Sequence, residues 1–168
     1  MQRRQLFARL FGLTAFFALP ARAQDKAAAK PDKLIKTSAE WKKLLTAGRY
    51  NILFNEGTEP PGSSALNGEK RAGTFVCAAC NLPIFDSAKK YESGTGWPSF
   101  WDFLPGALGT KTDFKLILPR TEYHCARCGG HHGHVFDDGP KPTGKRYCNN
   151  GLALEFVAKD GKLPALRT

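Results

Sequence analysis

The chain has 168 residues, 42% of them hydrophobic and 24% charged, and a formal net charge of +10 at pH 7. That length suits one domain around a single core and leaves no room for a large multidomain assembly. Positive charge can favour anionic partners, but the basic residues are scattered and form no arm, so a nucleic-acid partner is not expected.

Residues 1–23 read as an export signal. Arg3, Arg4 and Arg9 form a basic start, residues 10–19 are apolar apart from Gly12 and Thr14, and Pro20 precedes the A-x-A pattern Ala21-Arg22-Ala23. The apolar run is shorter than the roughly 20 residues that span a bilayer, so no stable membrane anchor is expected after cleavage near Gln24. A periplasmic location follows. Arg3-Arg4-Gln5-Leu6-Phe7 approximates a twin-arginine motif with Leu and Phe in swapped order. Loss of four arginines and no acid lowers the net charge from +10 to +6.

Residues 24–36 are rich in Ala and Lys and read as a flexible lead-in to a domain over 37–168. Ser38 fits an N-cap for a short helix over 39–46, with Trp41, Leu44 and Leu45 on one side and Gly48 placed to end it. Residues 55–73 hold four glycines and two prolines and predict an extended loop. Beyond it the pattern is of short strands and turns: Thr74-Phe75-Val76, Ile84-Phe85, residues 115–118, residues 121–124 and residues 133–136. Leu152, Leu154 and Phe156 alternate with Ala153, Glu155 and Val157, which predicts a last strand with one buried face. The expected class is mainly β, with two antiparallel sheets, short N-terminal helices and a zinc knuckle.

Five cysteines divide into Cys77/Cys80, Cys125/Cys128 and a solitary Cys148. A C-x-x-C turn presents two sulfurs together, and two such turns fill a tetrahedral zinc site with no position left for water, which points to a structural ion. Forty-four residues separate the pairs, so the ion would join distant hairpins. Disulfides and an iron–sulfur cluster are the competing uses of these thiols. An odd count leaves one thiol over in either case.

Cys148 has two readings, a small buried hydrophobe or a reactive nucleophile. On a strand Arg146, Cys148 and Asn150 share a face. A neighbouring guanidinium favours thiolate, and the Asn150 amide offers donors to a substrate oxygen. His131 and His134 are candidates for proton transfer, though they could also bind metal or pack. Gly94-Thr95-Gly96-Trp97-Pro98-Ser99-Phe100-Trp101 suits an apolar recognition loop, with Trp101 equally suited to the core.

Taken together these segments resemble the B-type methionine sulfoxide reductases, which act on the R epimer of peptide-bound methionine sulfoxide. The resemblance rests on Gly57-Thr58-Glu59-Pro60-Pro61, both cysteine pairs, residues 94–100, 131–136, 138–140, 142–144 and 146–150. It implies Cys148 as nucleophile, His131, His134 and Asn150 positioning the substrate and protonating its oxygen, and Arg146 assisting the thiolate. It also implies Trp97 and Phe136 as substrate-binding residues, and one structural zinc, distant from the active site, on Cys77, Cys80, Cys125 and Cys128. Many family members place a resolving cysteine between the two glycines of the tryptophan loop; this chain has Thr95. Direct recycling by an external reductant, a thioredoxin-like protein or a small thiol, is therefore expected. Gly151 stands where the family usually has serine. A monomer is expected. The alternatives are a non-enzymatic zinc-knuckle binding module, which leaves Cys148 and the histidines without work, and a thiol–disulfide oxidoreductase, which requires a βαβ context that is not visible.

Overall fold

The computed structural model describes residues 30–115 and 118–168. The expected export signal, residues 24–29 of the lead-in, and Leu116 and Ile117 lie outside the described residues.

The chain enters through two short helices, α1 (Ser38–Leu44) and α2 (Ala47–Asn55). The cap of α1 is Thr37, one residue before the expected Ser38. Thr37 Oγ1 accepts the Glu40 N–H at 3.3 Å, and the Glu40 carboxylate accepts the Thr37 N–H at 2.7 Å, a reciprocal capping box. Gly48 does not end a helix; it lies in the first turn of α2, whose own cap is Thr46. A glycine inside a helix costs about 1 kcal/mol, less than burying Ile52 and Leu53 returns at about 2 kcal/mol each. Of the expected 55–73 loop, Asn55 still belongs to α2 and Gly73 opens the first strand; the residues between are irregular except for one 3₁₀ turn at Ala65–Gly68.

Among the described residues, nine strands form two antiparallel sheets. β1 (Gly73–Cys77) lies between β2 (Pro83–Asp86) and β9 (Leu154–Ala158). The second sheet contains β3 (Lys90–Tyr91), β4 (Ser99–Phe100), β5 (Leu108–Asp113), β6 (Arg120–Cys125), β7 (His131–Phe136) and β8 (Arg146–Asn149). Its order is β3-β4-β8-β7-β6-β5.

Aromatic rings fill the space between the sheets. Phe85 of β2 stacks on Phe100 of β4 with centroids 4.0 Å apart, and Phe75 of β1 meets Phe100 edge-on at 5.0 Å. Phe85 also approaches Tyr123 and Tyr147, both at 6.3 Å. Phe75, Phe85, Phe100 and Tyr123 are fully buried. Trp41 stacks on Phe54 at 4.8 Å, packing the two helices together.

Two strand expectations need correction. The strand expected over 115–118 is not formed at Lys115 or Leu118, and Phe114 and Leu118 are exposed. The partner of β6 is instead β5, whose sequence Leu-Gly-Thr-Lys-Thr-Asp has no apolar alternation because it is a solvent-facing edge. Likewise Leu152 is exposed and belongs to a 3₁₀ turn, Gly151–Ala153, and the strand begins only at Leu154.

Candidate active site

The two C-x-x-C segments fold as twin knuckles. Cys77 closes β1 and Cys125 closes β6. Asn81 donates its N–H to Cys77 O and Gly129 to Cys125 O, both from positive φ. The turns are completed by Cys77 N–H to Leu82 O and Cys125 N–H to Gly130 O. All four sulfurs lie within 4.8 Å of one another, with Cys77–Cys128 at 3.7 Å and Cys80–Cys125 at 3.6 Å. A tetrahedron with metal–sulfur bonds of about 2.3 Å has edges of about 3.8 Å, whereas a disulfide holds its sulfurs about 2.05 Å apart. The cluster is thus positioned to hold one metal ion and contains no disulfide. It joins the end of one sheet to the end of the other.

Cys148 stands away from the knuckles, half-buried in a pocket of about 270 Å³ that none of the other four cysteines lines. Such a volume falls below the roughly 300–1,000 Å³ of sites for drug-sized ligands and suits a single side chain. Six of the seven non-metal residues singled out in the sequence meet here: Trp97, His134, Phe136, Arg146, Cys148 and Asn150. Register explains the convergence. His134 pairs directly with Cys148 across β7 and β8, and two residues on Phe136 pairs with Arg146. Positions two apart share a face, and directly opposed side chains have Cβ atoms about 5 Å apart.

His131 is the seventh and does not line the pocket. It is buried with Nδ1 3.2 Å from Glu122 Oε1, its ring 5.5 Å from that of His134. Residues three apart on a regular strand face opposite sides. Here β7 bulges: Tyr123 pairs with Gly133, but His124 pairs with His131. The extra residue, His132, turns to the other side, and His131 and His134 come together.

His132 is fully buried, with Nδ1 3.2 Å from Asn149 Oδ1, which also accepts the Tyr123 hydroxyl at 2.9 Å. Burial lowers its pKa to about 4 despite the hydrogen bond to Asn149. Between the ordinary value and about 4 the unfolded chain binds the extra proton, so stability is lost as pH falls through that window. Urea unfolding from pH 6.5 to 4 is expected to show a loss on the order of 3 kcal/mol from this group. His132→Gln flattens that slope; an unchanged slope in the variant would rule the assignment out.

Arg146 is less available to the thiol than the sequence suggests. Its Nε and Nη2 each donate to Asp138 at 2.8 Å, and the guanidinium lies 4.3 Å from the Phe136 ring centroid. Burial pushes the Cys148 thiol above its ordinary pKa, outweighing the Arg146 charge beside it. Asn150 is also engaged: Oδ1 accepts Glu59 N–H and Nδ2 donates to His132 O, both at 3.0 Å. Its amide ties the 57–61 loop to β7 at the pocket floor.

Glu59 was named in the sequence only as part of a motif, with no role of its own. It is buried in the Pro-rich loop, its carboxylate accepts the N–H groups of Gly151 and Leu152, and its carbonyl accepts Trp97 Nε1–H at 3.1 Å. The tryptophan ring is thereby pinned at the pocket wall. The carbonyl of Gly96, a residue at φ 89°, accepts the Gly62 N–H at 2.7 Å, and a Cβ there would lie 2.8 Å from Pro61 Cβ. Only glycine lets the two loops close this far. At Gly151 a Cβ would stand 1.9 Å from Ser64 Oγ. The Ser64 side chain therefore fills the space a serine at 151 would need. Thr58, Thr95, Arg120, Gly133 and Asn149 complete the lining; of these, Arg120 alone was not named in the sequence.

The chain matches the SelR domain over residues 45–158. It is 48% identical over 126 residues to the peptide methionine sulfoxide reductase MsrB of Methanosarcina barkeri, covering 74% of this chain and 89% of that protein. The enzyme of the same name from Pseudomonas putida is 46% identical over 130 residues, covering 77% of this chain and 98% of that one. That of Leptospira interrogans is 48% identical over 122 residues, covering 72% and 93%. With the matched region running from just before α2 through the last strand, and so spanning both knuckles and the Cys148 pocket, the chain belongs to the SelR-domain family of MsrB-type peptide methionine sulfoxide reductases.

Proposed function

We propose that the protein reduces the R epimer of peptide-bound methionine sulfoxide to methionine, with Cys148 as nucleophile and an external thiol as reductant. The observation that carries this reading is the direct pairing of Cys148, the one cysteine outside the four-thiol cluster, with His134 in a side-chain-sized pocket. Preference for the R epimer rests on the family to which the chain belongs.

In this reading Trp97 and Phe136 hold the methyl end of the sulfoxide and Arg146 faces the thiolate. His134 supplies the proton, with His131 packed behind it and Asn150 holding the pocket loops. The Cys148 thiolate attacks the sulfoxide sulfur, and oxygen passes with a proton to Cys148. The substrate sulfur gains two electrons and Cys148 loses two, leaving methionine and a Cys148 sulfenic acid. One external thiol condenses with the sulfenic acid, releasing water. A second displaces Cys148 and leaves as a disulfide. A thioredoxin-like protein or a small thiol fits that role, because all other cysteines lie in the knuckles. Zinc is the ion we assign to Cys77, Cys80, Cys125 and Cys128. Four thiolates leave it no open position, so its contribution is structural. The working protein is read as a periplasmic monomer exported by means of residues 1–23.

The test is turnover of resolved R- and S-epimer sulfoxide peptides with dithiothreitol. Methionine from the R epimer alone is expected; equal turnover of both, or of neither, would overturn the proposal.

A further inference from the structure

Asp113 closes β5 opposite Arg120 and was invisible in the sequence, yet it holds His134. Its Oδ1 accepts the Lys115 N–H at 2.9 Å, and its Oδ2 lies 2.7 Å from both Arg120 Nη2 and His134 Nε2. The side chain is 5% exposed. The Lys115 N–H, His134 and Arg120 together hold this carboxyl well below the usual range, against the effect of burial. At neutral pH it is therefore an anion, which can only accept. The hydrogen between Asp113 and His134 then belongs to Nε2. Among the described residues no other side chain or backbone group bonds the His134 ring, so Nδ1 is the nitrogen left for chemistry.

We infer that Asp113 is a positioning residue: it fixes His134 as the Nε2–H tautomer and aims Nδ1 at Cys148 and the substrate oxygen. The inference rests on the proposed reduction of methionine sulfoxide. In that reaction Nδ1 takes the Cys148 thiol proton, the thiolate attacks sulfur, and Nδ1 returns the proton to the departing oxygen. The sulfenic acid carries that oxygen and proton, and His134 ends neutral as it began. Arg120 balances the Asp113 charge from the far side, while Glu122 and Lys111 form a parallel ion pair 3.3 Å apart behind His131.

The arrangement has a sharp consequence for Asp113→Asn. An amide can donate to Nε2 where the carboxylate could only accept, which moves the ring hydrogen to Nδ1 and leaves no base facing the thiol. The test pairs nitrogen NMR of the His134 ring with single-turnover methionine formation. The neutral wild-type ring should show protonated Nε2 and bare Nδ1. Asp113→Asn should shift the hydrogen toward Nδ1 and slow methionine formation about 100-fold, with half-saturating substrate unchanged. Asp113→Glu should keep the Nε2–H signature and regain part of the rate. A wild-type ring protonated on Nδ1 overturns the inference, even where a variant does not fold. A rate within two-fold of wild type in a folded Asp113→Asn also overturns it. A wild type with no reductase activity refutes the proposed function instead, while the tautomer measurement still decides what Asp113 does.

Discussion

Cys148→Ser is expected to abolish methionine formation from R-sulfoxide peptides, by more than about 10³-fold, while leaving fold and metal content intact. The residue is half-buried near the end of a short strand, and serine fits the same space, so no structural collapse should accompany the loss. No other thiol can substitute. Cys77, Cys80, Cys125 and Cys128 cluster within 4.8 Å of one another, and none lines the pocket. A serine hydroxyl lacks the nucleophilicity and the reversible oxidation that the cycle uses. The same experiment on the wild type without reductant should yield about one methionine per chain and a sulfenic acid at Cys148 that dimedone traps. Two outcomes would reassign the chemistry: undiminished turnover in Cys148→Ser, or a disulfide between Cys148 and a knuckle cysteine.

Removing the metal should be the more damaging change to the fold. The knuckles sit at the ends of β1 and β6, so their thiolates join the two sheets where backbone pairing does not. Binding of a structural zinc contributes about 10–16 kcal/mol in isolated knuckle peptides, comparable with the whole stability of an ordinary domain, about 5–15 kcal/mol. Without the ion, four thiols, three of them fully buried, face one another with nothing to balance them. Cys80→Ala, or prolonged chelation, is expected to unfold the domain at 37 °C, read by loss of far-UV dichroism. Elemental analysis of the native protein should give about one zinc per chain. A metal-free protein that melts at the native temperature would refute the clip.

The sequence placed most of the pocket residues well and their hydrogen-bond partners poorly. The knuckles, the four-plus-one division of cysteines and most of the pocket residues were legible because each depends on local spacing. A C-x-x-C turn places two sulfurs together wherever it occurs, and alternation on a strand places Arg146 and Cys148 on one face. The edge strand β5 was not legible. Its polar residues face solvent, so it lacks the apolar alternation that marks a half-buried strand, and the apolar residues after it drew the prediction instead. Asp113 was lost with it. Gly48 read as a helix stop because its local cost was visible, while the burial of Ile52 and Leu53 that outweighs it depends on the sheet beneath.

By itself, then, the sequence determined which thiols cluster as metal ligands and which thiol stands apart from them, since those properties belong to residue types at short spacing. Tertiary structure alone decided their partners. The bulge in β7 sent His132 into the core and put His131 beside His134, and the β7–β8 register set His134 against Cys148. The close of β5 brought Asp113 to His134, and the 57–61 loop tied up Asn150 and Trp97. The physical reason is that hydrogen-bonded partners lie across strands and loops, at sequence separations no local pattern encodes. Burial is likewise a property of the whole fold. It raises the Cys148 thiol against a neighbouring arginine that Asp138 already holds.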